Sequence, residues 1–354
     1  MQRKIIHCDC DCFFAAVEMR DNPALKQIPM AIGGDPSRRG VIATCNYPAR
    51  EYGVRSAMAT AQALKLCPDL TVLHGNMDKY REASRQIMDI FRDYTDIIEP
   101  LSLDEAFLDV SGTELCQGSA TYIAEEIRHR VKETVGITIS AGVAPNKFIA
   151  KIASDWNKPD GLYVVQPAQI TEFLDDLSVD KISGVGKKTA EKLGSMGIST
   201  CLDLRKRSLA ELVERFGIFG KRLFELARGI DDRPVQTSRI RKSISVEHTY
   251  ANDLGDVEAC LDKLPALLEE LAERFEKHGK DKQISGVIVK VKFFDFIQTT
   301  AEHAVAIPDL AHFRQLLIDA FNRGGRPVRL LGVGYKLKPL LDQQPKQLNL
   351  LDLA

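Results

Sequence analysis

The first dozen residues alternate. From Lys4 to Cys12 the chain reads as a strand ending in a polar, acidic stretch, and period-two geometry puts Cys8, Cys10 and Cys12 on one face and Asp9 and Asp11 on the other. A helical pattern begins over Phe13 to Met19, short strands follow at Met30 to Ile32 and Val41 to Thr44, and a helix lies around Thr60 to Leu66. Asp78 to Tyr94 has helical periodicity, and Ile97 to Glu99 and Ala106 to Val110 read as paired strands around the turn Pro100 to Glu105. An amphipathic helix (Ser119 to Thr134), an alternating strand (Ile137 to Val143) and another helix (Asn146 to Trp156) complete a strand–helix–strand–strand–helix–strand order, which predicts an α+β sheet of ferredoxin-like type. After Pro167 the pattern changes to short helices with glycine turns, up to about Pro234. The polar, basic stretch Gln236 to Lys242 reads as a linker. Beyond it Ser243 to Ala251, Val257 to His278, Ser285 to Phe294, Leu310 to Asn322 and Val328 to Lys338 alternate strand and helix as a second, smaller α+β domain.

A chain of 354 residues divides into two to four domains at ordinary domain size. No apolar run reaches the ~20 residues that span a bilayer, and the N-terminus lacks the apolar core of a secretory signal, so the expected location is the cytoplasm. The net charge of −1 does not announce a nucleic-acid binder, but phosphate binding depends on where Lys and Arg cluster. Eight scattered cysteines in a cytosolic chain read as buried thiols; Cys8, Cys10 and Cys12 lack the paired spacing of a zinc site.

The sharpest chemistry is Asp104-Glu105 together with Asp9 on another strand. Two-metal nucleotidyl transfer needs carboxylates converging on Mg²⁺ ions about 3.5–4 Å apart, and neighbouring acids reach one site best at a turn, which Pro100 and Ser102 suggest. Taken alone, an Asp-Glu pair reads more readily as a solvated turn.

Four blocks, HCDCDCFFAAVE, NYPAREYGVRSAM, EPLSLDEAFLDV and SAGVAPNKFIAKIASDWNKPDG, occur in order, and with them the chain resembles the Y-family of lesion-bypass DNA polymerases from Arg3 to about Lys338. The resemblance implies a right-handed polymerase: a ferredoxin-like palm (residues 1–12 and 75–167), small fingers (13–74), a helical thumb (168–235), a linker (236–242), an α+β little finger (243–341) and a clamp-binding tail (342–354). It assigns Asp9, Asp104 and Glu105 to catalysis as ligands of two Mg²⁺, with the backbone carbonyl of Cys10 assisting, and Phe14 to a steric gate against a 2′-hydroxyl. Tyr47, Arg50, Lys158 and Thr44 fall on residues that hold the triphosphate of an incoming dNTP; a planar guanidinium suits phosphate oxygens. Asp11 and Ser102 are expected to support the metal site by hydrogen bonds, and Tyr80 to pack near the sugar or the gate. Cys8 and Cys10 depart from the family, which has an apolar residue and a Met there.

Ile182 to Lys187, followed by a helix from Lys188 to Met196, resembles a helix-hairpin-helix in which Gly184, Gly186 and Lys187 approach duplex phosphates without reading bases. Arg239, Arg241, Lys242, Lys290 and Lys292 should add positive charge for primer–template DNA. The tail residues Gln347, Leu350 and Leu351 resemble a sliding-clamp peptide, which suits capture by an apolar groove. The implied activity is template-directed lesion bypass by a monomer, with low fidelity and no proofreading. A nucleotide cyclase shares a palm-like sheet but leaves the hairpin, last domain and tail without a purpose. An inactive DNA- and clamp-binding scaffold has no need of the three acids.

Overall fold

The strand Ile5–Cys10 (β1) is buried at every position but Asp9 because both its faces are covered, and the fold of the first half is arranged around it. In chain order the strands that follow are Met30–Gly33 (β2), Ile42–Cys45 (β3), Thr71–Leu73 (β4), Ile98–Pro100 (β5), Glu105–Asp109 (β6), Ile139–Ala144 (β7) and Leu162–Val164 (β8). In this computed structural model, which describes residues 2–339, they form a five-stranded sheet, β5-β6-β1-β7-β8, and a three-stranded sheet, β3-β2-β4. β1 runs antiparallel to β6 and β7, and its register sets Asp9 opposite Glu105 on one side and Ser140 on the other.

Alternation along β1 feeds two cores. Ile6, Cys8 and Cys10 face one in which Ile87 and Phe91 of the helix Met77–Arg92 and Ile123 and Ile127 of the helix Ala120–Arg130 are buried. Ile5 and Phe107 join the other with Phe148, Ile149 and Ile152 of the helix Lys147–Trp156. That helix is capped by Asn146, whose side chain accepts from Ile149 N at 3.0 Å. It lies at backbone distance from β7: a Cβ on Gly142 would sit 2.1 Å from Ala150 O, so only glycine permits the approach that brings Lys151 and Ser154 up to β1. At the end of β1 the chain turns through Cys12 at φ 43°, ψ 46°, and starts the helix Phe13–Asp21 at once.

The described residues of Met1–Gly34, Val41–Met58 and Gln62–Ser238 make one compact unit, and those of Asp35–Gly40, Ala59–Ala61 and Arg239–Ala354 a second. The second unit holds the strands Ser243–Leu254 (β9), Lys282–Phe293 (β10), Gln298–His303 (β11) and Val328–Pro339 (β12) in the order β11-β10-β12-β9. Its core buries Leu264, Leu267 and Leu271 of the helix Leu264–His278 and Phe313 and Leu317 of the helix Leu310–Asn322. The helical stretch expected over 257–278 is two helices, Val257–Leu261 and Leu264–His278. Pro265 explains the break: it has no N–H to donate and is tolerated only in a helix's first turn. Chain 231–242 has no helix or strand. Cys8, Cys10, Cys12, Cys45, Cys67, Cys201 and Cys260 are buried free thiols, and the partly buried Cys116 is also free.

Candidate active site

Where β1 ends, a cavity of about 220 Å³ is lined by Asp9, Cys10, Phe14, Thr44, Tyr47, Arg50, Asp104 and Lys158, among others. Asp9 reaches it as the last carboxylate of β1. Asp104 reaches it from the bend before β6 and is tied to β1 by the hydrogen bond from Cys10 N to Asp104 O, 2.9 Å. Glu105 begins β6 and, with Asp9 and His7, offers ligand atoms that all lie within 4.8 Å of one another. Asp104 is outside that cluster.

Each of the three acids is held by one oxygen. Lys158 Nζ sits 2.7 Å from Asp9 Oδ1, Ser102 Oγ donates to Asp104 Oδ1, and Lys151 Nζ donates to Glu105 Oε2. Among the described residues the other oxygen of each makes no hydrogen bond. This is a set of hard oxygen donors with one free lone-pair face apiece, and it fits a divalent cation of the Mg²⁺ kind.

The electrostatics separate the acids. Burial lifts the Asp9 carboxyl to about 6 against the pull of Lys158. The adjacent His7 ring, joined by Lys151 and opposed by burial, holds Glu105 down to about 2. His7 is fully buried, and desolvation lowers its imidazole to about 4, so it is neutral at pH 7. Burial works against the charge on Lys158, but Asp9 and Asp155 (3.0 Å) keep its proton on.

His7 is the member that sequence reasoning missed. Its Nε2 lies 3.3 Å from Glu105 Oε2 and its Nδ1 2.8 Å from Ser154 Oγ. The signal was present, because the period-two alternation that groups Asp9 with Asp11 puts His7 on the same face of β1.

Around the acids, Phe14 stacks on Tyr80 with centroids 4.3 Å apart and planes 13° from parallel. Tyr80 is buried and donates to Glu18 Oε1 at 2.9 Å. The Tyr47 hydroxyl is buried with no partner among the described residues, and burial raises its pKa. Arg50 lies over the Tyr47 ring at 4.7 Å and donates from Nε to Cys45 O. Asp11 accepts from Thr138 Oγ1, Ser140 Oγ and Asp160 N, each at 2.8 Å, which ties the end of β1 to β7 and to the segment carrying Lys158.

Elsewhere in this unit Gly184 has φ +98°, Gly186 has open space where a Cβ would be, and Lys187 starts the helix Lys187–Ser195. In the second unit Arg239, Arg241 and Lys242 are exposed, Lys290 is paired with Glu247 at 2.8 Å, and Lys292 lies over the Phe296 ring at 5.1 Å. Gln347, Leu350 and Leu351 lie outside the described residues. Among the described residues no helix is long and apolar enough to cross a membrane.

Residues 8–155 match the impB/mucB/samB family, residues 241–350 the C-terminal domain of that family, and residues 180–231 the thumb domain of DNA polymerase-iota. The chain is 61% identical over 341 residues to a DNA polymerase IV of Pseudomonas syringae pv. tomato, covering 96% of this chain and 97% of the relative. It is 58% identical over 349 residues to a DNA polymerase IV of Ectopseudomonas mendocina, covering 99% of each. Among solved structures, a Y-family DNA polymerase chimera superposes with a TM-score of 0.84 at 29% identity, over 94% of this chain and 98% of that one. An insertion ternary complex of Dbh DNA polymerase does so with a TM-score of 0.67 at 28% identity, over 95% and 99%.

Proposed function

The chain belongs to the Y-family of DNA polymerases, and on that premise we propose that it extends a primer across damaged template by two-Mg²⁺ nucleotidyl transfer from dNTP, with low fidelity and no proofreading. The family uses divalent metal; that the ions are Mg²⁺ and number two is our reading of the donor set. One observation carries it above the others: Asp9 and Asp104 line one 220 Å³ cavity with Tyr47, Arg50 and Lys158, which is what joins a metal site to a triphosphate site.

In this reading Asp9, Asp104 and Glu105, with the carbonyl of Cys10, hold the cations. When bound, these supply Lewis acidity to the attacking 3′-hydroxyl and offset the charge that develops at phosphorus. The protein's own share is positioning and electrostatics. Arg50, Tyr47, Lys158 and Thr44 hold the triphosphate in line, and the two cationic side chains offset charge on the departing pyrophosphate. Phe14, kept flat against Tyr80, fills the volume that a 2′-hydroxyl would need. Asp11 and Ser102 support the acids from behind.

Gly184, Gly186 and Lys187 grip a duplex backbone in this account, with the helix N-terminus adding positive potential. Arg239, Arg241, Lys242, Lys290 and Lys292 add contacts from the second unit, and Gln347, Leu350 and Leu351 dock a sliding clamp. The polymerase works as a cytoplasmic monomer. The test is primer extension on a defined template with Mg²⁺ and four dNTPs, comparing the unaltered chain with Asp104→Asn plus Glu105→Gln. Extension that disappears in the doubly substituted protein supports the reading. No extension by the well-folded unaltered chain, with Mg²⁺ or Mn²⁺, sinks it in favour of an inactive scaffold.

A further inference from the structure

Glu105 is the most tightly held of the three acids, and the group that distinguishes it is a histidine. We propose that His7 is a positioning residue for Glu105 that acts through Lys151: its imidazole, braced by Ser154, accepts from Lys151 Nζ and holds that ammonium on Oε2, so that Oε1 is the oxygen turned toward the cation. The inference rests on the reading of Glu105 as a metal ligand.

The geometry is a line of three groups. Ser154 Oγ lies 2.8 Å from His7 Nδ1, and His7 Nε2 lies 3.3 Å from Glu105 Oε2. Ser154 Oγ gives its one proton to Lys151 O at 2.7 Å, so the ring proton belongs on Nδ1, facing Ser154, and Nε2 is left as an acceptor. Lys151 Nζ donates to Glu105 Oε2 and, at 3.4 Å, to His7 Nε2. One ammonium thus bridges two acceptors on different strands. A carboxylate on a flexible side chain is fixed in this way in both rotation and choice of lone pair, the service that outer hydrogen-bond partners give to metal ligands.

The setting makes the histidine rigid. It is fully buried, its ring packs against Phe107 at a centroid distance of 4.7 Å, and β1 pairs it with Phe107 and Gly142 on either side. Gly142 is the residue whose missing Cβ admits the helix carrying Lys151 and Ser154. Strand register and helix approach therefore both serve the same contact. Lys151 is partly exposed and long, so on its own it would anchor Glu105 loosely; the buried ring fixes where its ammonium sits.

Two substitutions separate positioning from packing. His7→Asn keeps an amide at the Nδ1 position for Ser154 but has nothing at the Nε2 position. His7→Gln extends an amide oxygen to the Nε2 position and restores the acceptor for Lys151. The readout is binding of Mn²⁺ to the full chain without DNA or nucleotide, followed by the EPR signal of the free ion. His7→Asn should weaken binding about tenfold, within the range for loss of an outer hydrogen-bond partner, and His7→Gln should return it to within about threefold. In primer extension the Mg²⁺ concentration for half-maximal rate should rise about tenfold in His7→Asn, while the rate at saturating Mg²⁺ recovers.

A folded His7→Asn chain, checked by its melting temperature, that binds Mn²⁺ as the unaltered chain does overturns the inference. So does His7→Gln binding as weakly as His7→Asn, since the role is then one of shape. Glu105→Gln is the control for the underlying reading. If it leaves Mn²⁺ binding unchanged, Glu105 is not a ligand and the inference falls with that reading. If it weakens binding and His7→Asn does not, the inference alone fails.

Discussion

The two large sheets of this chain treat charge in opposite ways. The five-stranded sheet has strands of three to six residues, and His7, Asp11, Ser140 and, on its covering helix, Lys147 and Ser154 are buried in or beside it. In the four-stranded sheet three strands run twelve residues, and charged side chains of the sheet pair on the outside, Lys290 with Glu247 and Lys336 with Glu302 of β11. None of the buried polar side chains falls in the described part of 239–339. A long antiparallel ladder satisfies its own backbone and needs only apolar residues inward. The short-stranded sheet carries desolvated charge, which is costly unless fully hydrogen-bonded. Asp11, with three donors, shows how that cost is met. Substitutions in the first sheet should therefore act all-or-none, and those in the second by degrees.

The strongest break comes at the acids. Asp104→Asn with Glu105→Gln removes two of the three carboxylates proposed to hold the cations, so single-nucleotide incorporation should fall at least about 10³-fold, several kcal/mol of lost charge stabilisation. A melting temperature within a few degrees of the unaltered chain would show that the loss is chemical. Next is Phe14→Ala. With the ring gone from its stack on Tyr80, discrimination against ribonucleotides, taken as the ratio of kcat/KM for dNTP and rNTP, should drop about 100-fold. Unchanged discrimination would make Phe14 a core residue only.

A third effect is on stability. Asp231 is buried, accepts from Phe148 N at 3.0 Å and pairs with Arg233 at 2.6 Å. Burial pushes its pKa up, but Arg233 and the backbone donors outweigh that and hold the carboxyl below its ordinary value. A depressed carboxyl stabilises the fold above the unfolded value of about 4 and loses that contribution as pH falls toward the folded value. Asp231→Asn should cost about 2 kcal/mol at pH 7, read as a lower melting temperature, with a constant deficit down to pH 5 and a shrinking one below pH 4. A deficit that grows in acid would reverse the sign of the argument.

How much of this could be read from the residues depends on whether the signal is local. The helix Leu310–Asn322 and the helix Thr60–Leu66 have the bounds that periodicity gave, since their apolar faces repeat within a few residues. The three-residue strand Leu162–Val164 was not foreseen, because it exists only by pairing with β7. Nor was Gln298–His303, where every residue but Ala301 is polar and the partner strand supplies the order. The acids Asp9 and Asp104 were legible through motif blocks. The distances among them were not, and they differ: Asp104 stays outside the cluster that His7, Asp9 and Glu105 make. His7 went unread because a lone histidine in an apolar strand looks like core until Ser154 and Glu105, distant in sequence, are brought to its two nitrogens.

The smallest expected effects lie in the second sheet, and they test whether its charges are as independent as their exposure implies. Lys292 and Lys290 both belong to β10, and duplex contact is proposed for both, but their surroundings differ. Lys290 already has Glu247 at 2.8 Å, whereas Lys292 rests over the Phe296 ring. A lysine that must leave a carboxylate to reach a phosphate gains less from the exchange. Lys292→Ala should therefore weaken primer–template binding a few-fold and lower the slope of log affinity against log salt by about 1, with Lys290→Ala doing less. Glu247→Gln should strengthen binding slightly by freeing Lys290. Neither lysine substitution should move the melting temperature appreciably, since exposed pairs contribute about 0–1 kcal/mol. Equal effects from the two lysines would mean that Glu247 yields its partner to DNA without cost, and the contrast between buried and exposed charge would then hold for stability and not for binding.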